Sequence, residues 1–584
     1  MKKNIKKAII AFSAVALLTA GASAQDSEDF EDMESFEDTS SPELTINGEV
    51  NADSRVWGGN VNKDGVFNAH KSNTAHDWRH FETDSGAKAK LNLNYSGDYT
   101  DMNLKVKLDS RTIGDHPEDV IDEASVGGSF ADGRIQLRAG KMKEVWGKGD
   151  KIHVLDNFNA NDYTDFIFPD YIDRRLGEIM FKATANLSWD YNIKLEGICT
   201  PTMTADRFAE KGTLAPYAQK NLTNTVKSLI KAKYTGELSK SLGLTQLENG
   251  SYGYTSTPST TSPTVVATDK LLDGIMELSD FSADNLYEDN IKTLKYGQAG
   301  ARLTGTAWGI DWGTSYYYGH YKQPSANLEN VVKMGVYEAY AKKAAAQAAA
   351  LGAAGDAAGA AAAGAQAETY AAAAKGILAQ NMDDILSLNY DQVQVFGLEA
   401  AFVLWKFNTR WEGAYNLTQD YAGDNPWIKN NSLSWVAGFD IDLPIHNLNF
   451  NFQNTGTHVL NSDKIKKGGI DIGGTTVPWT MIGSNYDVDY NSDGHYTINK
   501  LIFVLKDTFL HEKLSTEAQV IVGVENHEVC VVPKIDYNVS EGLTFTAKAA
   551  WLYSRNENGE FYNFTQGSRH HDKVFVQFAA RYQF

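Results

Sequence analysis

The amino-acid sequence predicts an all-β fold, a transmembrane antiparallel β-barrel of about eighteen strands with short periplasmic turns and long external loops. Three observations predict it. From residue 43 onward, segments of about ten residues alternate apolar and polar side chains, the length and period of tilted strands that cross a bilayer. The connections between them alternate between short and long, with the link near Asn526 the one brief member of the long set. The last strand, Asp572 to Phe584, puts Val574, Val576, Phe578, Ala580, Tyr582 and Phe584 on one face and mostly polar residues on the other.

The elements follow in order. Lys2, Lys3, Lys6 and Lys7, the apolar run Ala8 to Leu18 and Ala22-Ser23-Ala24 read as a cleavable signal peptide over residues 1–24. The apolar run is too short to span a membrane as a helix. Residues 25–42 form an acidic stretch, expected to be a flexible, solvated periplasmic tail. Residues 43–584 are expected to be the barrel. Its first strand runs from Leu44 to Trp57, and tight turns at Gly97-Asp98, Ala131 to Arg134, Ser188 to Asp190 and Trp308 to Ile310 join hairpins in the first half. Turns at Trp405, Pro444 to His446, His511 to Lys513 and Ser540 to Gly542 do so in the second. Phe578, Tyr582 and Phe584 are read as the assembly signal, which resembles the terminal signal presented by Gram-negative outer-membrane barrels to the barrel-assembly machinery. The expected surroundings are outer-membrane lipid.

Two long loops carry internal structure. Within residues 200–296, Leu222, Val226, Leu229 and Ile230 lie at helical spacing, a Ser/Thr/Pro tract runs from Tyr254 to Pro263, and a short helix is predicted from Asp269 to Leu278. Within residues 321–390, an alanine-rich run predicts helix, with Gly352, Gly355 and Gly359 as candidate break points of a hairpin. Its few large apolar residues predict little burial; an exposed spacer and a lumen plug are both open.

Composition narrows the chemistry. The chain has a net charge of −20, which argues against nucleic acid. Cys199 and Cys530 are its two cysteines and make no disulfide framework. The motifs of serine hydrolases, metalloproteases and zinc sites are absent, so no catalytic residues and no enzyme are predicted. Asp487, Asp489, Asn491 and Asp493 form a D-x-D-x-N-x-D string before Gly494, which either wraps calcium weakly or is an ordinary acidic turn. No other cofactor is expected.

The third loop, Gly140 to Arg175, is rich in Asp, Asn, Arg and aromatic residues. Trp146, Asp150, Asp156, Asp162, Arg174 and Arg175 are its candidate pore-constriction residues, with the arginines facing Asp156, Asp162, Asp165 and Asp170 across the lumen. The alternative is an external loop held by surface ion pairs. Arg138, Lys194, Arg302, Arg410 and Glu412 fall on inward-facing strand positions as lumen-wall charges. Tallying such positions predicts a slightly basic lumen.

Asp122-Glu123-Ala124, Gly140-Lys141, Val145-Trp146-Gly147, Asp150, Leu155-Asp156, Asn159 and Asp162 together resemble a porin-like family of uncharacterised Gram-negative outer-membrane proteins. In that family a strand ends in a G-R/K-x-x-x-x-W-G turn before an I-N-P-x-D-like loop; here Phe158-Asn159-Ala160-Asn161-Asp162 replaces Ile-Asn-Pro. Tyr296 to Gly319 and Arg410 to Tyr415 are similar to the family as well. The resemblance covers about half of the chain and omits the alanine-rich insert and the 200–296 loop. It implies a barrel and a channel, similar at fold level to alginate-export-type and specific porins, and names no substrate. The expected function is passive passage of small polar or anionic solutes; the alternative is a surface-exposed adhesin or antigen binding host or matrix molecules through its loops.

Overall fold

The computed structural model describes residues 43–60, 81–209, 212–216, 245–246, 252–254, 264–266, 289–380, 382–472, 475–478, 496–555, 559–565 and 572–584. The signal peptide, the acidic tail, the predicted helices of the 200–296 loop and the string Asp487, Asp489, Asn491 and Asp493 lie outside them.

Eighteen strands form one closed antiparallel sheet. In chain order they are β1 (Glu43–Asn60), β2 (Phe81–Ser96), β3 (Thr100–Asp109), β4 (Ile121–Phe130), β5 (Ile135–Met142), β6 (Glu178–Ser188), β7 (Ile193–Thr200), β8 (Gln298–Ala307) and β9 (Ile310–His320). The second half comprises β10 (Gln392–Leu404), β11 (Phe407–Thr418), β12 (Ser432–Asp442), β13 (Asn449–Val459), β14 (Thr497–Phe509), β15 (Leu514–Gly523), β16 (Glu528–Ser540), β17 (Leu543–Ser554) and β18 (Asp572–Gln583). Every strand pairs with its sequence neighbour, and β18 returns to β1 from Gly58↔Val574 to Glu49↔Gln583. Phe584 completes the seam: its N–H donates to Gly48 O at 3.0 Å and its carbonyl accepts from Gly48 N at 2.9 Å. Closure leaves no unpaired edge, the condition for a sheet to cross lipid.

Alternation sorts the two faces. Leu398, Phe181 and Phe578 point outward and are 67%, 58% and 62% exposed, as residues facing lipid would be in water. Their sequence neighbours point into the barrel. The short turns cluster at the end that holds Glu43 and Phe584. One of them, Trp308-Gly309, has φ of 55° and 75°, the left-handed pair that a two-residue hairpin requires. Its indole is 98% exposed, placed where an aromatic ring meets the edge of the bilayer.

The alanine-rich insert is a helical hairpin, α1 (Glu329–Ala353) and α2 (Ala357–Leu378). It breaks at Gly355, with φ of 82°, and Asp356 caps α2 by accepting from Gly359 N at 2.9 Å. Gly352 and Gly359 stay inside the helices, so only one of the three predicted break points is used. The base of α1 is more firmly seated than its composition predicts. Val332, Val336, Tyr337 and Tyr340 pack with Trp427, Ile470 and Val477 of two neighbouring external loops. None of its residues lines the main lumen cavity described below. Cys199 is exposed and Cys530 buried, and both are free thiols.

Candidate functional site

The segment between β5 and β6, residues 143–177, turns into the barrel and crosses its interior. Its contacts fall on strands all around the circumference. Arg55 of β1 bonds Asp165 at 2.6 Å, and Lys90 of β2 bonds Asp173 at 2.8 Å. Glu144 pairs with Lys182 of β6 at 2.7 Å. Trp146 Nε1 donates to Glu196 of β7 at 2.5 Å. Asp150 accepts from Asn451 of β13 at 2.9 Å. Phe168 O accepts from Lys548 of β17 at 2.6 Å.

Glu412 of β11 meets three groups of this segment. Gly149 N donates to its Oε1 at 2.6 Å and Val154 N to its Oε2 at 2.8 Å, while His153 Nδ1 lies 2.8 Å from Oε1. The carboxylate is 4% exposed, so these bonds replace its lost water. Gly147 explains the Trp-Gly pair. Its φ is 118°, and a Cβ there would lie 2.2 Å from Glu412 Oε1, so only glycine lets the chain turn against that carboxylate. Asn159, 1% exposed, ties the two ends of the loop together: it accepts from Glu144 N and donates to Met142 O and Leu176 O at 2.8–2.9 Å.

Apolar packing seats the far side. Phe166 and Phe168 join Trp57, Ile502, Val504, Ile521, Val532, Leu552, Phe561, Phe564 and Phe575 in one buried cluster inside the barrel. Phe168 meets Phe575 edge-to-face at 4.7 Å between ring centres, and the Arg55 guanidinium lies 4.3 Å from the Phe575 ring. These partners were not among the sequence candidates, yet a signal existed. Leu501-Ile502-Phe503-Val504-Leu505 is apolar on both faces, which a strand facing water on its inner side would not be.

Beside the loop lies a cavity of about 2490 Å³. Its lining runs along β1 to β5 and β14 to β18, from Glu43, Gly542 and Phe584 at the turn end to Trp57, Asp84 and His116 at the loop end. Of the predicted constriction residues, Asp162 and Arg174 line it; Trp146, Asp150, Asp156 and Arg175 do not. Trp146 is 1% exposed among Phe158, Tyr317 and Val393, where an indole is better placed than in water. Arg175 is 3% exposed and lies 2.7 Å from Asp156, with a further bond to Asn161 at 3.1 Å. It is a buried strut and faces no pore. Arg174 sits with its guanidinium 5.7 Å from the Tyr171 ring. Asp162 does not face either arginine; it pairs with Arg207 at 2.5 Å, which latches the lumen loop to the root of the 200–296 loop. Asp165 is taken by Arg55, and only Asp170 is left exposed on the cavity side.

The wall charges also differ from expectation. Arg138 lines the cavity and pairs with Asp101. Lys194, Arg302, Arg410 and Glu412 lie away from it, with Arg302 on Glu399 at 2.5 Å and Arg410 on Asp440 at 2.7 Å. Among the described lining residues, eighteen carboxylates outnumber thirteen lysines and arginines, so the tally of a slightly basic lumen is corrected. Nine of those thirteen cations have a carboxylate within ion-pair distance, including Lys88–Asp109, Lys90–Glu49, Lys105–Glu123 and Arg111–Asp53 at 2.7–3.1 Å. The sequence tally failed because about two fifths of the lining comes from loops, whose side chains obey no alternation.

Protonation in the loop follows these partners. Burial alone would raise the Asp173 carboxyl, but Lys90 outweighs it and holds it below the usual carboxylate range. Burial opposes Asp162 in the same way, and Arg207 with Thr164 wins. For Asp156 burial prevails over Arg175, and the carboxyl rises. At the external rim, burial pulls the Lys322 ammonium down to about 7, despite Glu178 and Asp206 nearby.

No protein-family model matches the chain, and none of the curated proteins compared with it matches. Among solved structures it is similar to OccK3 (OpdO) of Pseudomonas aeruginosa, at 6% identity over 92% of this chain and 95% of that chain, with a TM-score of 0.38. It is similar to a BenF-like porin from Pseudomonas fluorescens Pf-5, at 8% identity over 93% and 98%, with a TM-score of 0.39. A third is the outer membrane channel DcaP of Acinetobacter baumannii, at 9% identity over 94% and 99%, with a TM-score of 0.33.

Proposed function

We propose that this protein is an outer-membrane channel through which small polar solutes pass passively. The observation that carries the reading is the cavity itself. It has polar and charged lining at every level of the strands, and that lining reaches both ends of the barrel. A barrel serving only to display loops has no need of a hydrated interior, and its lumen is free to pack shut as the Phe166 side does here. The lumen loop narrows the path without filling it, and its many fastenings hold the narrowing at a set width. Wall cations are mostly neutralised by neighbouring carboxylates, which supports small polar solutes over anions as a class. Signal-peptide cleavage and delivery by the barrel-assembly machinery are part of the same proposal.

Planar-bilayer recording of the processed chain in KCl tests it. Discrete, lasting conductance steps are expected. A pure barrel that stays silent in the bilayer overturns the channel reading and favours loop-mediated binding to external molecules.

A further inference from the structure

The periplasmic third of the cavity wall carries a group of uncharged polar side chains. Thr45 and Asn47 of β1, Asn92 and Asn94 of β2, Asn103 of β3 and Gln583 of β18 all line it, on four consecutive strands of the closed sheet. None of these six carries a charge, although Glu43, Asp101, Glu541 and Arg581 line the cavity near them. Asn92 Nδ2 donates to Asn47 Oδ1 at 2.8 Å, and Asn103 Nδ2 donates to Asn94 Oδ1 at 2.8 Å. Each bond uses one N–H and one oxygen, so every amide keeps a second hydrogen-bonding group. Charged pairs border these amides: Lys90 with Glu49 at 3.1 Å next toward the outside, and Lys105, opposite Asn92 in the register, with Glu123 at 2.8 Å.

We infer that this amide collar is a subsite for neutral polyhydroxylated solutes of the sugar or sugar-alcohol class; the inference rests on the channel reading above. A hydroxyl both donates and accepts, and so does a primary amide. A polyol therefore exchanges its bonds to water for bonds to the collar at little cost. A carboxylate only accepts and an ammonium only donates. Either would shed water against amides that themselves offer no counter-charge. The register fixes the collar's spacing: Asn47 stands opposite Asn92, and Asn94 opposite Asn103, so two amide pairs sit two residues apart along β2. That repeat, roughly 6–7 Å at the rise of a strand, suits hydroxyl groups several carbons apart on one solute molecule.

The test uses the processed full-length protein in liposomes and three solutes of one size: sorbitol, gluconate and glucosamine. Sorbitol is expected to enter faster than either charged analogue, by about fivefold, the scale of one or two net hydrogen bonds. Asn92→Leu with Asn94→Leu should bring the sorbitol-to-gluconate ratio close to unity. Asn92→Ser with Asn94→Ser, which keeps hydrogen-bonding groups at both positions, should retain most of it. Heat-modifiable gel mobility confirms that each variant has a closed barrel. Equal entry of all three solutes, or a Leu variant with the wild-type ratio, overturns the collar while leaving KCl conductance and the channel reading intact. Absence of conductance overturns both.

Discussion

Replacing Glu412 with alanine should release the lumen loop while leaving the barrel closed. The side chain is 4% exposed and receives the N–H groups of Gly149 and Val154 at 2.6 and 2.8 Å. Both donors belong to backbone, and neither has another route to that carboxylate once it is truncated. Hydrogen bonds to a charged group contribute roughly 1.5–3 kcal/mol each, so the two cost at least about 3 kcal/mol when lost. At about 1.4 kcal/mol per factor of ten, the population with segment 146–154 detached rises on the order of a hundredfold. The β11 ladder to β10 and β12 is backbone and is untouched. Single-channel recording is the assay: Glu412→Ala should show larger open-state current noise and frequent steps to higher conductance. Glu412→Gln, which keeps an acceptor oxygen, should fall between. Wild-type noise and unchanged protease resistance of the loop in Glu412→Ala would refute the view that this carboxylate holds the constriction in place.

Three further outcomes are expected. Arg174→Ala should shift the reversal potential in a salt gradient toward cations, whereas Arg175→Ala, which strands the buried Asp156 carboxylate, should lower stability by about 3–5 kcal/mol in urea titration; the opposite assignment would show that the two side chains are misplaced. Phe168→Ala should cost about 3–5 kcal/mol, because it empties the space between Phe166 and Phe575; a heat-modifiability midpoint equal to wild type would argue against a packed interior. Burial sets the Lys322 ammonium at about 7 against 10.5 unfolded, so the unfolded chain binds the extra proton between those values. Stability should therefore rise as pH climbs from about 7 toward 10.5 and level off below about 7, where both states carry the proton, and Lys322→Met should flatten that slope in urea titrations at pH 6, 8 and 10.

Much of the barrel was legible because its signal is local. Outward Leu91 and Leu93 and inward Lys88, Lys90 and Asn92 follow from a period of two and need no knowledge of the partner strand. Turn chemistry such as Trp308-Gly309 is equally local. The parity of short and long links then forces strand order, since hairpins joined by tight turns must be neighbours. What a loop does is set by what it lands on. Arg174 and Arg175 are adjacent and chemically alike, yet one borders the cavity and the other is a buried strut, because the chain turns over Ile172–Arg174 and leaves extended at Arg175. Glu412 read as a lumen charge by alternation, and it does point inward; that three groups of a loop more than 250 residues earlier would cover it depended on a fold-wide path. The sequence by itself determined the faces, the turns and the closure of the barrel, since each rests on contacts between residues near in sequence or on a pattern repeated in every strand. Only the tertiary structure decided which inward charges meet water and which meet each other, since a carboxylate's partner is chosen by burial and distance and not by position in the chain.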